Sequence, residues 1–114
     1  MWTSDKISYF EAFYWQLKDY SCAYQQSPEE VKIQRRRRFK PPFESAVDDI
    51  VEFDMALKHM DAIYRWIYMA HFIWGMSYGG IAWFLPLSKE RVYERAQLGR
   101  RSLKEYLYGL YQRR

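Results

Sequence analysis

Gly75-Met76-Ser77-Tyr78-Gly79-Gly80-Ile81-Ala82-Trp83-Phe84-Leu85-Pro86-Leu87-Ser88-Lys89-Glu90-Arg91-Val92-Tyr93-Glu94-Arg95-Ala96-Gln97 carries two helix-start signals separated by a proline. Ser77 and Ser88 each stand where a hydroxyl oxygen accepts an orphan backbone N–H at the start of a helix. Between them, Ile81, Ala82 and Leu85 recur at helical spacing, and beyond Ser88 so do Val92 and Ala96. Pro86 stops the first helix because it lacks an N–H and restricts the residue before it. The stretch therefore predicts a short helix, a tight turn at Pro86-Leu87 and a second helix. Small Ala82 lets the two axes approach closely.

The second helix is basic on its outer side. Putting Val92 and Ala96 inward leaves Lys89, Glu90, Arg91, Tyr93, Glu94, Arg95 and Gln97 on or near the opposite face. Arginine, glutamine and tyrosine reach base edges or phosphates, which is what a helix lying in the major groove requires. Arg91, Arg95 and Gln97 are the candidate base readers, and Ser88 and Lys89 are expected beside phosphate at the helix start. Tyr93, Arg100 and Arg101 complete the expected DNA-binding set on this part of the chain.

The pattern Gly75, Ser77, Tyr78, Ile81, Ala82, Leu85, Ser88 and Val92, followed by a basic tail, resembles the helix-turn-helix of region 4 of bacterial sigma factors. Phage late-gene antitermination proteins of the Q type resemble that region too, and their small size and aromatic-rich N-terminal part suit this chain. The resemblance covers about residues 60 to 110. It implies a protein of the bacterial host cytoplasm that recognises double-stranded DNA near a late promoter, engages paused RNA polymerase and promotes terminator readthrough. Three departures stand out: Gly79-Gly80 replaces helix-forming or acidic residues, at about 1 kcal/mol each relative to alanine; Pro86 replaces glycine; and Trp83 and Phe84 replace polar residues. Trp83 and Phe84 either cover the protein's own N-terminal part, which is the expected outcome, or form a partner-binding surface.

Length and composition bound the architecture. A chain of 114 residues makes one domain with one main core. The hydrophobic fraction is 49% and the aromatic fraction 20%, far from disorder and more than a modest core needs. Tryptophan and tyrosine favour interfaces, so a protein partner or a homodimer is expected. A single cysteine, Cys22, forms no intrachain disulfide, which suits an intracellular protein. No basic segment followed by an apolar run opens the chain, so no secretory signal is expected. Arg65, His71, glycine and proline interrupt the apolar stretch Ile63 to Leu87, so no membrane span is expected either.

Net charge is +4, but its distribution carries more information than its sum. Residues 31–40 hold Lys32, Arg35, Arg36, Arg37, Arg38 and Lys40 without an acid, and residues 86–114 hold eight basic and three acidic residues. Residues 41–62 hold six acids and one base. Two basic blocks are thus expected to flank a duplex, with Arg35, Arg36, Arg37 and Arg38 on phosphate. The acidic block is expected to face away from the duplex or toward a basic protein partner.

The expected architecture is all-α, a single small helical domain. Residues 1–74 form an N-terminal helical part that includes the basic segment 32–40, and residues 75–114 form the helix-turn-helix and a basic C-terminal helix. Ile7 to Tyr24 reads as one helix capped by Ser4, and Ser27-Pro28 opens a short second one. Apolar residues from Phe43 to Trp74 recur every three or four positions, predicting a long helix over about 44–73 that spans roughly 45 Å. Such a helix either bends or breaks near its middle, or is buried along its length by the first helix and a second subunit. A last helix is expected from near Gln97, weakened by Gly99 and Gly109.

Little in the sequence points to an enzyme. His59 and His71 have no ligand-spaced cysteine or further histidine, so no zinc site is expected. Asp48, Asp49, Glu52, Asp54 and Asp61 fall at helical spacings that suit magnesium, and suit a solvated helix face equally. No nucleotide-binding glycine pattern is present, and neither a catalytic residue nor a cofactor is expected. Two function classes remain. One is a DNA-binding transcription regulator, of which antitermination is the form the resemblance implies. The other is a sigma-like inhibitor or adaptor that binds RNA polymerase without reading DNA. A plain repressor or activator lies between them.

Overall fold

A computed structural model describes residues 2–23 and 46–113. All regular structure among them is helical: α1 (Ser4–Ala12), α2 (Tyr14–Ala23), α3 (Ala46–His59), α4 (Ala62–Tyr68), a π-helical segment (Met69–Ile73), α5 (Tyr78–Phe84) and α6 (Lys89–Arg113). The short helix expected after Ser27-Pro28 lies outside the described residues.

The first helix is two helices rather than one. Thr3, and not Ser4, caps α1 by accepting the Lys6 N–H. Phe13 leaves helical geometry at φ −119°, ψ 26°. Its N–H closes α1 on the Tyr9 carbonyl, and its own carbonyl accepts the Leu17 N–H that opens α2. One aromatic residue therefore ends one helix and starts the next, with its ring 4.7 Å from that of Tyr9.

The long helix expected over 44–73 is broken. Met60 closes a tight last turn on Leu57, Asp61 is extended at ψ 146°, and Arg65 N–H on the Asp61 carbonyl starts α4. The reason lies in what each half buries. Ile50, Phe53 and Leu57 of α3 pack with Ile7, Phe10, Tyr14 and Leu17 of the first two helices. Ile67 and Ala70 pack with Ile81, Val92 and Ala96. One straight rod would not present both sets to their partners.

The π segment adjusts the register further. Trp74 N–H bonds to the Met69 carbonyl five residues back, and Met76 N–H reaches the Ala70 carbonyl across Gly75. Gly75 has φ +77°, which an L side chain rarely adopts. Tyr68 then faces the larger core, Ile67 and Ala70 face the smaller one, and Phe72 packs against both.

Helix α6 joins the two cores. It begins at Lys89 rather than near Gln97 and runs 25 residues without a break, about 37 Å at 1.5 Å per residue. Val92 and Ala96 fill the smaller core, and Leu103 and Leu107 the larger. Gly99 lies between them where α6 meets α4. A Cβ there would stand 3.4 Å from the Tyr64 carbonyl oxygen and 3.5 Å from Met60 Sδ, in ordinary van der Waals contact.

The acidic block has a structural task. Trp2 Nε1–H donates to Glu52, the Tyr14 hydroxyl and Lys18 ammonium donate to Asp54, and Lys6 pairs with Asp49. Lys6 and Asp49 are both buried. Asp49, Glu52 and Asp54 thereby hold α1 and α2 on α3, while Asp48 and Asp61 are exposed. Among the described residues, no group of three or more histidine, cysteine, aspartate or glutamate side chains is arranged to hold a metal. No helix there is long and apolar enough to cross a membrane.

Two buried phenols tie the fold to pH. Burial, reinforced by the Asp54 carboxylate that accepts its proton, pushes the Tyr14 hydroxyl well above the ordinary value of 10.0. Burial pushes Tyr68 up as well, and the neighbouring Glu11 adds to it against an opposing effect of Arg100. A proton held more tightly in the folded state stabilises it fully below the unfolded value, and that stability is lost as pH rises through the folded value. Stability is expected to hold up to about pH 10 and to fall above it, more steeply than in Tyr14→Phe. Chemical denaturation between about pH 9 and 12 checks this; identical slopes for the two proteins would contradict it.

Candidate nucleic-acid interface

The helix-turn-helix is built as its sequence dictates. Ser77 Oγ accepts the Gly80 N–H at 3.0 Å and starts α5; Ser88 Oγ accepts the Arg91 N–H at 3.2 Å and starts α6. Between them Leu85 is extended, and Leu87 N–H bonds to the Leu85 carbonyl to close the turn over Pro86. Ile81, Val92 and Ala96 are fully buried against Ile67 and Ala70, with Ala82, Leu85 and Leu87 packed around them.

The two glycines of α5 differ. A Cβ on Gly80 would lie 3.1 Å from Ser77 Oγ, the capping atom itself, whereas one on Gly79 would meet nothing within 4 Å. Gly79→Ala is expected to stabilise the protein by about 0.5–1 kcal/mol. Gly80→Ala gains the same propensity but displaces the cap, and is expected to trail it by about 1 kcal/mol. Thermal denaturation of the pair measures this, and equal stabilities would contradict it.

The expected DNA-binding residues differ in their surroundings. Ser88, Lys89, Arg91 and Tyr93 are exposed together along the first turns of α6. Arg95 is half-buried with its guanidinium over the Tyr64 ring, and the Gln97 amide donates to the Tyr78 hydroxyl at 3.1 Å. Arg101 is exposed and pairs with Glu105 one turn on. Arg100 is partly buried and engaged within the fold. It donates to both oxygens of buried Glu11, at 2.8 and 3.1 Å, and lies over the Phe72 ring. Tyr68 donates to the same carboxylate at 2.6 Å. Arg35, Arg36, Arg37 and Arg38 lie outside the described residues.

Trp83 and Phe84 overturn the expectation that they belong to the core. They are 85% and 67% exposed at the end of α5. Inward α5 positions are taken by Ile81 and Ala82, so the next two side chains point out before Pro86 turns the chain.

Aromatic contacts that helical spacing does not announce lie behind the exposed start of α6. His71 donates from Nδ1 to the Met76 carbonyl, which only accepts, and stacks on Tyr78 at 3.9 Å and 18°. Tyr78 meets the Tyr93 ring edge-on at 5.2 Å. These contacts link the π segment to the outer face of α6. Spacing carries no signal for them, because the π turn shifts which residues face α5.

Comparison with known proteins finds no match: no family model fits the chain, and no curated protein or solved structure is significantly similar to it.

Proposed function

We propose that this protein is a DNA-binding transcription regulator whose α5–α6 unit is a helix-turn-helix with the start of α6 in the major groove. The observation that carries the reading is the doubly capped pair. Ser77 and Ser88 fix two helices on a shared apolar core while Lys89, Arg91 and Tyr93 remain exposed at the N-terminus of the second. Helix starts attract phosphate, and arginine reads guanine edges. Gln97 and Arg95 lie further along the same helix, where they support its position beside Tyr78 and Tyr64. Arg101 and the arginines at 35–38 are proposed to contact phosphate.

Within this class, the resemblance to Q-type proteins supports antitermination: binding near a late promoter, engagement of bacterial RNA polymerase and readthrough of a downstream terminator in the host cytoplasm. The exposure of Trp83 and Phe84 favours a protein partner beside the DNA reader. It equally supports a sigma-like inhibitor or adaptor that binds polymerase alone. Transcription in vitro with polymerase, a template carrying the cognate promoter region and a terminator separates these. Readthrough selects antitermination, reduced initiation selects an inhibitor or repressor, and no effect with no complex removes polymerase from the account. Trp83→Ala/Phe84→Ala should leave the fold and DNA affinity intact while weakening polymerase binding.

A further inference from the structure

Five aromatic rings form a ladder from the larger core to the exposed start of α6. Tyr68, whose hydroxyl donates to Glu11, packs on Phe72 at 5.2 Å, and Phe72 meets His71 edge-to-face at 4.8 Å. His71 stacks on Tyr78 at 3.9 Å, and Tyr78 meets Tyr93 edge-on at 5.2 Å. Tyr68 belongs to α4, Phe72 and His71 to the π segment, Tyr78 to the start of α5 and Tyr93 to α6. The rings thus pass from fully buried Tyr68 to Tyr93, which is 51% exposed.

His71 is the rung that the backbone itself holds. Gly75, at φ +77°, turns the chain so that Met76 N–H returns to the Ala70 carbonyl, and His71 Nδ1–H donates to the Met76 carbonyl at 2.8 Å. The imidazole is thereby tied at one edge and offers its face to Tyr78. Tyr78 in turn engages two residues one turn apart on α6: its ring borders Tyr93, and its hydroxyl accepts the Gln97 amide at 3.1 Å. A side chain already held in its bound arrangement loses less freedom on binding, and that raises affinity without a new contact. We infer that His71 is a positioning residue for the DNA reader: through Tyr78 it holds the Tyr93 ring and the Gln97 amide in the arrangement that meets the duplex, without touching DNA itself. The inference rests on the DNA-binding reading and adds to it the residue that sets the reader's geometry.

The test compares binding to the motif that the wild type enriches from a random duplex pool with binding to scrambled duplex of the same length. His71→Gln keeps an N–H donor for the Met76 carbonyl but has no ring to stack. It should bind the motif more weakly by roughly 2- to 12-fold, the strength of one aromatic pair, while affinity for scrambled duplex changes less than about twofold. His71→Phe keeps the ring and should restore most of the loss. Tyr93→Ala, an exposed substitution, should weaken motif binding in the wild type and much less in His71→Gln, because both residues act through one arrangement. Circular dichroism of each variant reports whether the helices are intact. Lost helical signal in His71→Gln, a loss of affinity shared equally by motif and scrambled duplex, or additive effects of His71→Gln and Tyr93→Ala would show that His71 serves the fold alone. Each would overturn the inference while leaving the DNA-binding reading standing, as would unchanged motif affinity in His71→Gln. Failure of the wild type to enrich any sequence would overturn both.

Discussion

Arg100→Ala is expected to destabilise the protein by about 3–5 kcal/mol, because it leaves the buried Glu11 carboxylate without its cation. The Glu11 side chain is 6% exposed and that of Arg100 25%, so water compensates little. The loss joins three elements at once. Glu11 belongs to α1, Tyr68 to α4 and Arg100 to α6, and the same guanidinium reaches the Ser8 hydroxyl at 3.3 Å and covers Phe72. Arg101→Ala is the control. It breaks an exposed pair with Glu105 in which both side chains are mostly solvated, and is expected to cost less than about 0.5 kcal/mol. Replacing Glu11 and Arg100 together by leucine should recover much of the loss, since both charges then leave the interior. Urea denaturation of the wild type and the three variants measures these differences. A cost for Arg100→Ala as small as that for Arg101→Ala would contradict the engagement of Arg100 within the fold.

The second large effect is expected from Phe53→Ala, at about 3–5 kcal/mol. Phe53 is fully buried in the middle of α3. Its ring lies 5.8 Å from Phe10 and 6.0 Å from both Trp2 and Tyr14. Truncation removes the apolar area of one aromatic ring and leaves a cavity between rigid rings that close over it poorly. The ion pairs of Lys6 with Asp49 and Lys18 with Asp54 border this packing, so their geometry is expected to loosen with it. Denaturant midpoints give the loss, and near-ultraviolet circular dichroism reports whether the aromatic set still packs. A cost below about 1 kcal/mol would show that α1 and α2 are not held by this core.

Local signals in the sequence were legible, and long-range ones were not. Ser77 and Ser88 announce their helices because a hydroxyl and an N–H three residues later interact wherever that backbone forms. Ile81, Val92 and Ala96 are readable for a similar reason, since helical spacing alone puts them on inner faces. The break at Met60-Asp61 has no proline or glycine to mark it. It follows from α3 and α4 serving different cores, and that is a property of partners distant in sequence. Phe13 likewise ends α1 without a breaker. Arg100 reads as one more surface arginine of a basic helix until Glu11, 89 residues away, is brought beneath it. The pairing of Asp49, Glu52 and Asp54 was hidden for the same reason, because their partners Trp2, Lys6, Tyr14 and Lys18 come from a distant part of the chain.

The surroundings of the candidate residues were legible in outline and not in detail. The sequence places Lys89, Arg91 and Tyr93 on the outside of α6, and they are exposed there. It gives no warning that Arg95 and Gln97 are engaged by Tyr64 and Tyr78, since those rings come from α4 and the start of α5. Trp83 and Phe84 are exposed for a reason composition conceals: a seven-residue helix has room for few inward positions, and Ile81 and Ala82 occupy them.

Selection of duplexes from a random-sequence pool at about 150 mM salt, where non-specific phosphate binding is weak, tests the central proposal most directly. The wild-type protein is expected to enrich one sequence motif, and Arg91→Ala to bind that motif less tightly by about 1–3 kcal/mol while losing less affinity for scrambled DNA. Recovery of a pool as random as the one supplied would contradict the assignment of α5 and α6 as a DNA reader.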